Sequence, residues 1–453
     1  MQRESSETQT VRRATERARS LTLEIAAEAR AEWGFATDIL ARAFREHRQL
    51  SSTERRWVSE TTYSLLRGER RFGAILDELV AANPRAHRDG ISPIARQALL
   101  LLVQEIRSGV PLEATKADVR RALGYDMDLG PALAENAGLG DTTGLDREAL
   151  RVSFPTWLVE RFVASMGQEA ALAMCEAMNT RAPMCVRTNT CKLSREDLIA
   201  RLGEEGVTAV PTRFSPVGLI FETRVNAFAL ASFQDGFFEV MDEGSQFVAE
   251  AVAPPPRGRV VDACAGAGGK TLALASILEN QGRILAMDSN ARKLEELRRR
   301  ARRAGLSNVT ARDVKGAQFP DEAKLGSWDR VLVDAPCSGL GTLRRNPEAR
   351  WRLTPQVVDR FPMEQLSLLV AYAPLVAKGG RLIYATCTVT KEENDQVIER
   401  FLAERTDFVA MPMKEIWGKA RAKELGDETF LRLFPHTHDT DGFFAAVLRR
   451  VGP

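Results

Sequence analysis

Two cysteines, Cys337 within Asp334-Ala-Pro-Cys-Ser-Gly-Leu-Gly and Cys387 within Tyr384-Ala-Thr-Cys-Thr, each follow a run that reads as a buried β-strand aimed at a loop. A soft nucleophile with a second thiol nearby suits attack on a carbon centre. Upstream, Cys264-Ala-Gly-Ala-Gly-Gly-Lys-Thr places three glycines directly ahead of a helix. Backbone N–H groups can approach a ligand there, and the helix dipole favours an anion. The Gly-Lys-Thr ending falls short of a P-loop, whose first glycine would stand at position 264, where this chain has cysteine. A nucleoside triphosphatase is therefore disfavoured, and a nucleotide-like cofactor is favoured.

The elements that must position these groups alternate from Arg259 onward. Strands read Arg259-Val-Val-Asp, Arg283-Ile-Leu-Ala-Met-Asp, Asn308-Val-Thr-Ala-Arg, Asp329-Arg-Val-Leu-Val-Asp and Arg381-Leu-Ile-Tyr-Ala-Thr, with helices between them. That rhythm predicts a mostly parallel, doubly wound α/β sheet with its ligand beyond the carboxyl ends of the strands. Asp262, Asp288, Asp313, Asp334 and Cys387 stand at or just past those ends and should converge on one crevice. Asp288 lies about 20 residues past the glycine loop, the spacing at which a carboxylate accepts ribose hydroxyls. Asp313 could then meet the adenine edge, and either aspartate could instead cap the segment after it. Lys270 could hold a cofactor carboxylate or Asp334, or equally be a solvated lysine at the helix start.

Before this region, residues 20 to about 130 carry apolar residues at helical spacing, and Gly and Asp become frequent from Gly124 to Gly144. An all-helical domain over 1–148 follows. Residues 149–253 read as linker helices and a small α+β module, with Ser194 capping a helix and Asp197 three residues on. The Pro254-Pro-Pro run opens the α/β domain, 254–453.

With 44% hydrophobic and 27% charged residues over 453 positions, the composition is that of a water-soluble, multidomain chain. No stretch approaches the roughly 20 apolar residues of a membrane span, and Met1-Gln-Arg-Glu-Ser-Ser lacks the apolar core of a secretory signal. Cytoplasmic residence with reduced thiols is the expectation. The six cysteines, at 175, 185, 191, 264, 337 and 387, show no C-x-x-C pairing, and His436 and His438 alone are too few ligands, so no metal is expected. A net charge of +2 is too mild to indicate a partner. Two clusters say more: Arg292 to Arg303 on one helix, and Arg344, Arg345, Arg350 and Arg352 around Trp351, just after Cys337. The second adjoins the chemistry and is the better candidate for gripping phosphates and stacking a base.

Thiol pair and cofactor loop together imply carbon methylation of a pyrimidine. The chain resembles the Fmu/Sun family of RNA cytosine-C5 methyltransferases, closest to its bacterial 16S small-subunit rRNA methyltransferase B (RsmB-like) branch. The resemblance rests on Asp334-Ala-Pro-Cys-Ser-Gly-Leu-Gly-Thr-Leu-Arg-Arg-Asn-Pro-Glu, Ala385-Thr-Cys-Thr-Val-Thr-Lys-Glu-Glu-Asn, Met241-Asp-Glu-Gly-Ser-Gln and Pro435-His-Thr-His-Asp-Thr-Asp-Gly-Phe-Phe. It implies a NusB-like helical RNA-binding domain, an RNA-recognition-like module and a Rossmann-like class I methyltransferase domain. It also implies S-adenosylmethionine on Cys264, Ala265, Gly266, Ala267, Gly268, Gly269, Lys270, Asp288, Asp313 and Asp334. Cys387 matches the family nucleophile, Cys337 the residue that helps release product, and Asp334 the carboxyl on the cytosine N3/N4 edge. The implied partner is small-subunit rRNA, engaged by a monomer. This chain departs from the family with Gly266-Ala267 in place of Ala-Pro, which predicts a looser cofactor loop, and with Gly244 where Ala is frequent. Two other readings stay open: a tRNA cytosine-C5 methyltransferase, and a non-catalytic RNA-binding ribosome-assembly factor.

Overall fold

The structure, a computed structural model, describes residues 14–32, 35–223, 225–314 and 319–452. The chain packs as two units: one runs to Asn179 and also takes in Asn346–Leu353, and the other holds Thr180–Arg345 and Thr354–Pro453.

The first unit is helical: α1 (Glu16–Glu32), α2 (Ala36–Glu46), α3 (Ser52–Ala82), α4 (Pro84–Asp89), α5 (Pro93–Arg107), α6 (Lys116–Leu123), α7 (Gly144–Arg151), α8 (Thr156–Met166) and α9 (Gln168–Met178). Local chemistry sets the starts of the long helices. Ser51 and Glu54 form a reciprocal capping box ahead of α3, and Ser92 caps α5 with Pro93 at the first helical position. Ile75 and Leu76 of α3 pack with Leu99, Leu102 and Val103 of α5 in the interior, while Leu65 joins Leu101 of α5 and Ala26 of α1, and Leu66 packs with Leu21 and Ile25 of α1. Arg19 of α1 reaches into that interior to pair with Glu105 and Asp118, both at 2.8 Å.

In the second unit, β1 (Met184–Thr188), α10 (Arg195–Glu204), β2 (Ala209–Pro211), β3 (Gly218–Phe221), α11 (Ala231–Gln234) and β4 (Phe238–Val240) follow a β-α-β-β-α-β order. They build a four-stranded antiparallel sheet ordered β2-β3-β1-β4. Ser194 and Asp197 cap α10 as its sequence predicts. This is the ferredoxin-like arrangement.

After α12 (Glu243–Val252) come β5 (Arg259–Asp262), α13 (Gly269–Ile277), β6 (Arg283–Asp288), α14 (Ala291–Ala304), β7 (Val309–Asp313) and β8 (Trp328–Asp334). The short helices α15 (Ala349–Arg352) and α16 (Pro355–Val358) follow, then α17 (Phe361–Tyr372), β9 (Val376–Thr386), α18 (Asp395–Glu404), β10 (Phe408–Met411), β11 (Leu431–Leu433) and β12 (Phe443–Arg450). The sheet order is β10-β12-β9-β8-β5-β6-β7, with β11 beside β12. The five strands from β9 to β7 are parallel, and β12 joins antiparallel to both β9 and β10. Val260, Val261, Leu285, Val331, Leu332 and Ile383 have no exposed surface, as a sheet covered on both faces requires. From β5 the chain proceeds to β6 and β7 on one side, then returns to β8 and β9 on the other. The crevice beyond β5 and β8 is thus the topological switch point where such sheets bind ligands.

Among the described residues no helix is long and apolar enough to cross a membrane, and no cluster of three His, Cys, Asp or Glu side chains is arranged to hold a metal ion.

Candidate active site

Strand register brings the chemistry together. Asp262 pairs with Ala286 on β6 and Leu332 on β8, Asp334 with Ala385 on β9, and Asp288 with Asp313 on β7. Parallel strands ending at nearly one level deliver Asp262, Asp288, Asp313, Asp334, Cys337 and Cys387 to one rim.

The glycine loop is held at several points. Gly266 N–H donates to Asp288 Oδ2 at 2.8 Å, Gly268 N–H to the Ala265 carbonyl at 2.9 Å, and Arg300 Nη1 to the Ala267 carbonyl at 2.7 Å. Gly266 has φ +54° and Gly268 +90°, values that favour glycine, and a Cβ at Gly268 would lie 2.6 Å from Leu297 Cγ. The loop with Gly266-Ala267 is therefore tethered on both sides, where the sequence alone predicts looseness. Gly268 precedes α13 without any side-chain cap, so the first turn presents its N–H groups to a ligand anion.

Asp262 is 1% exposed; its Oδ2 accepts from Thr271 Oγ1 at 2.6 Å, and its Oδ1 has no hydrogen-bond partner among the described residues. Burial pushes this carboxyl up to about 7, against the opposing Thr271 bond. A buried, unpartnered carboxylate oxygen beside an uncapped helix start suits a ligand carrying both an ammonium and a carboxylate, as an amino-acid-derived cofactor does. Asp288 spends one lone pair of each oxygen on backbone N–H groups, Gly266 and Asn290, each at 2.8 Å. It keeps acceptor capacity for hydroxyl donors. Asp313 is exposed at the end of β7, and Cys264 is part-buried, with its thiol pushed up by burial.

Lys270, from the first turn of α13, donates to Asp334 Oδ2 at 2.7 Å. Burial pulls its ammonium down, but the adjacent Asp334 outweighs that and the net shift is upward, with Cys387 adding to it. Its Nζ also lies 5.3 Å from the Phe443 ring centroid. Phe443 accounts for Gly244 as well, because a methyl added there would sit 2.6 Å from the Phe443 ring.

Cys337 Sγ and Cys387 Sγ are 3.3 Å apart. The Cys337 thiol is raised well above its ordinary value, first by its hydrogen bond to Cys387, then by burial and by the charges of Cys387 and Glu393. Cys337 therefore stays a thiol and can donate to the Cys387 sulfur. The Cys387 carbonyl accepts from Gly341 N–H at 2.9 Å, and Gly442 N–H donates to the Gly341 carbonyl at 2.8 Å. A Cβ on Gly341 would lie 2.1 Å from the Gly442 carbonyl oxygen, and one on Gly442 would lie 2.5 Å from Val389 Cγ1, so both positions require glycine. Both glycines stand within sequence motifs, but local spacing assigns them no role. Only a contact between distant segments reveals it.

The second basic cluster does not form the phosphate grip expected from its sequence. Arg344 pairs with Asp439 at 2.6 Å, and Arg345 with Asp242 and Asp441, both at 2.7 Å. Arg350 is fully buried, its guanidinium 3.7 Å from the Phe154 ring centroid and donating to Asn179 Oδ1 at 2.7 Å. Trp351 donates Nε1–H to the Leu66 carbonyl at 2.8 Å. Arg345, Arg350 and Trp351 are structural because buried carboxylates, carbonyls and a ring already occupy them, whereas Arg344 meets the exposed Asp439 and Arg352 stays exposed with its guanidinium 4.6 Å from the Phe35 ring centroid. On α14, by contrast, Arg292, Lys293, Arg299 and Arg302 are exposed, whereas Arg300 and Arg303 turn inward to Glu239.

Residues 249–449 match the 16S rRNA methyltransferase RsmB/F family, and residues 154–227 match the ferredoxin-like domain of RsmF/B-like methyltransferases. A probable ribosomal RNA small subunit methyltransferase B of Synechocystis is 32% identical over 433 residues, covering 91% of this chain and 95% of its own. The 28S rRNA (cytosine(4447)-C(5))-methyltransferase of Homo sapiens is 30% identical over 67% of this chain and 38% of its own length. Among solved structures, the crystal structure of PH0851 is 26% identical, covers 97% of this chain and 100% of its own, and superposes with a TM-score of 0.76.

Proposed function

The chain belongs to the 16S rRNA methyltransferase RsmB/F family, and on that premise we propose that it transfers a methyl group from S-adenosylmethionine to C5 of a cytosine in small-subunit rRNA through a covalent Cys387 adduct. The observation that carries this reading is the pair of sulfurs 3.3 Å apart at the ends of adjacent parallel strands, beside the Lys270–Asp334 pair and the glycine loop.

Bound at the loop from Cys264 to Lys270, S-adenosylmethionine supplies an electrophilic methyl group. Asp262, the α13 N-terminus, Asp288 and Asp313 would hold it through its ammonium, carboxylate, ribose and adenine in turn. C5 of cytosine is a poor nucleophile until a group adds at C6, so the Cys387 thiolate attacks C6 and the displaced electron pair makes C5 nucleophilic. Asp334, fixed by Lys270, hydrogen-bonds the N3/N4 edge and shares the proton that balances the charge there. Once C5 carries the methyl group, a base takes its remaining proton. The electrons of that C–H bond restore the C5–C6 double bond, and the C6–S bond breaks with its pair returning to Cys387. Cys337, kept as a thiol, assists this release by donating to the departing sulfur.

The target base must reach this crevice, so it lies in an RNA loop or is extruded from a helix. We assign residues 1–148 to a NusB-like RNA-binding domain, 149–253 to linker helices and the RNA-recognition-like module, and 254–453 to the methyltransferase, acting as a cytoplasmic monomer. The helical content of the first unit and the ferredoxin-like match support this assignment. The test is paired: Cys387→Ala abolishes methyl transfer, and Cys337→Ala accumulates an RNA–protein adduct that survives denaturing electrophoresis. Normal turnover by both variants refutes the reading.

A further inference from the structure

Glu393 lies in the turn between β9 and α18, has no exposed surface, and faces no cation within ion-pair distance among the described residues. Its carboxylate instead gathers hydrogen bonds from both cysteine loops. Oε2 accepts from the Ser338 N–H at 2.9 Å and from Gln365 Nε2 at 3.0 Å. Oε1 accepts from Ser338 Oγ at 2.5 Å, Thr388 Oγ1 at 3.0 Å and Thr390 Oγ1 at 3.3 Å. Ser338 follows Cys337 and Thr388 follows Cys387, and their hydroxyl oxygens lie 3.1 Å apart. Gln365, from α17, extends the clamp by donating to the Pro336 carbonyl at 3.1 Å. The turn is anchored in its own right: Tyr384 OH donates to the Glu393 carbonyl at 2.5 Å, Thr386 Oγ1 to Asn394 Oδ1 at 2.7 Å, and Asn394 Nδ2 to the Thr388 carbonyl at 3.2 Å.

A carboxylate removed from water with no counter-ion is costly unless its lone pairs are filled. Here five donors from two catalytic loops and α17 fill them. The loops belong to different strands, and among the described residues no other side chain accepts hydrogen bonds from both residues that follow the cysteines.

We propose that Glu393 is a positioning residue that sets the distance between the Cys337 and Cys387 sulfurs by bonding the residue that follows each. The proposal rests on the two-thiol reading of the site for its catalytic consequence, but its geometric content is independent of that reading. Glu393→Ala removes the common acceptor and lets the two loops move apart. Glu393→Gln keeps the length and can keep its oxygen toward Ser338 N–H and Gln365, with its amide toward hydroxyls that can rotate to accept.

The full-length protein is treated with diamide, which oxidises two neighbouring thiols to a disulfide and so requires the sulfurs to close to about 2 Å, and the disulfide-linked peptides are quantified over time by mass spectrometry. The expected result is a Cys337–Cys387 cross-link in the wild type, strongly reduced in Glu393→Ala and recovered in Glu393→Gln. Thr388→Val, which removes one bond from a buried β-branched position, is expected to be intermediate and serves if the alanine variant fails to fold. Methyl transfer should fall about 100-fold in Glu393→Ala, the scale expected when reacting groups are displaced by about 1 Å. Calorimetric affinity for S-adenosylmethionine should stay unchanged. Undiminished cross-linking in Glu393→Ala, or a glutamine variant as impaired as alanine, overturns the proposal. If Cys337→Ala traps no RNA adduct, the covalent reading fails, while the cross-linking result still decides the role of Glu393.

Discussion

Asp262→Asn should change the pH dependence of folding stability in a direction and amount set by the site. The carboxyl is 1% exposed with one oxygen unpartnered, and its pKa stands at about 7 where the ordinary value is 3.8. An acid whose folded pKa is raised binds its proton more tightly when folded. Its contribution is fully present below pH 3.8 and is lost as pH rises through 7. Integrating that linkage gives a loss of roughly 2.5 kcal/mol between pH 5 and pH 8, equivalent to a melting temperature lower by about 5–10 °C for a domain of this size. The substituted amide carries no charge and keeps a carbonyl that can accept from Thr271, so the variant should lack this component. Asp441 titrates in the same range, so the informative quantity is the stability of variant minus wild type, measured by scanning calorimetry at both pH values. The variant should gain on the wild type by roughly 2.5 kcal/mol from pH 5 to pH 8. Saturating S-adenosylmethionine, whose ammonium would partner the ionised form, should shrink that gain. A difference identical at the two pH values refutes the reasoning.

Gly341→Ala forces a methyl to within 2.1 Å of the Gly442 carbonyl oxygen and 2.8 Å of the Cys387 carbonyl oxygen. Methyl transfer should drop about 100-fold through displaced thiols, while calorimetry still detects cofactor binding. Arg350→Met should leave RNA affinity unchanged in filter binding and alter stability by less than about 1 kcal/mol, because an apolar chain can replace a buried guanidinium that leaves Nε and Nη2 unpaired. Arg350→Ala, which opens a cavity against Phe154, should cost about 2–4 kcal/mol in denaturant titration.

Much of the methyltransferase domain was legible because its strands are short apolar runs ending in aspartate, and that pattern reports a parallel sheet covered on both faces. The register of β5, β6, β7, β8 and β9 then follows from the chain rhythm, and Asp262, Asp288, Asp313 and Asp334 take their places on the rim. At Arg344, Arg345 and Arg350 charge alone misleads, because it reports what a side chain can bind and says nothing of what folding places against it. Arg345 meets Asp242 and Asp441, which lie about a hundred residues away in either direction.

The residue types and their spacing by themselves determined that this chain has a glycine loop before a helix, strand-end acids and two loop thiols, since those depend on local propensity and periodicity. Only the tertiary structure decided the 3.3 Å gap between the sulfurs, the glycine contact that fixes the Cys387 carbonyl, and the burial of Glu393 beneath both loops. Each depends on non-neighbouring segments being pressed together, where packing of the whole sheet, and no local preference, sets the distance.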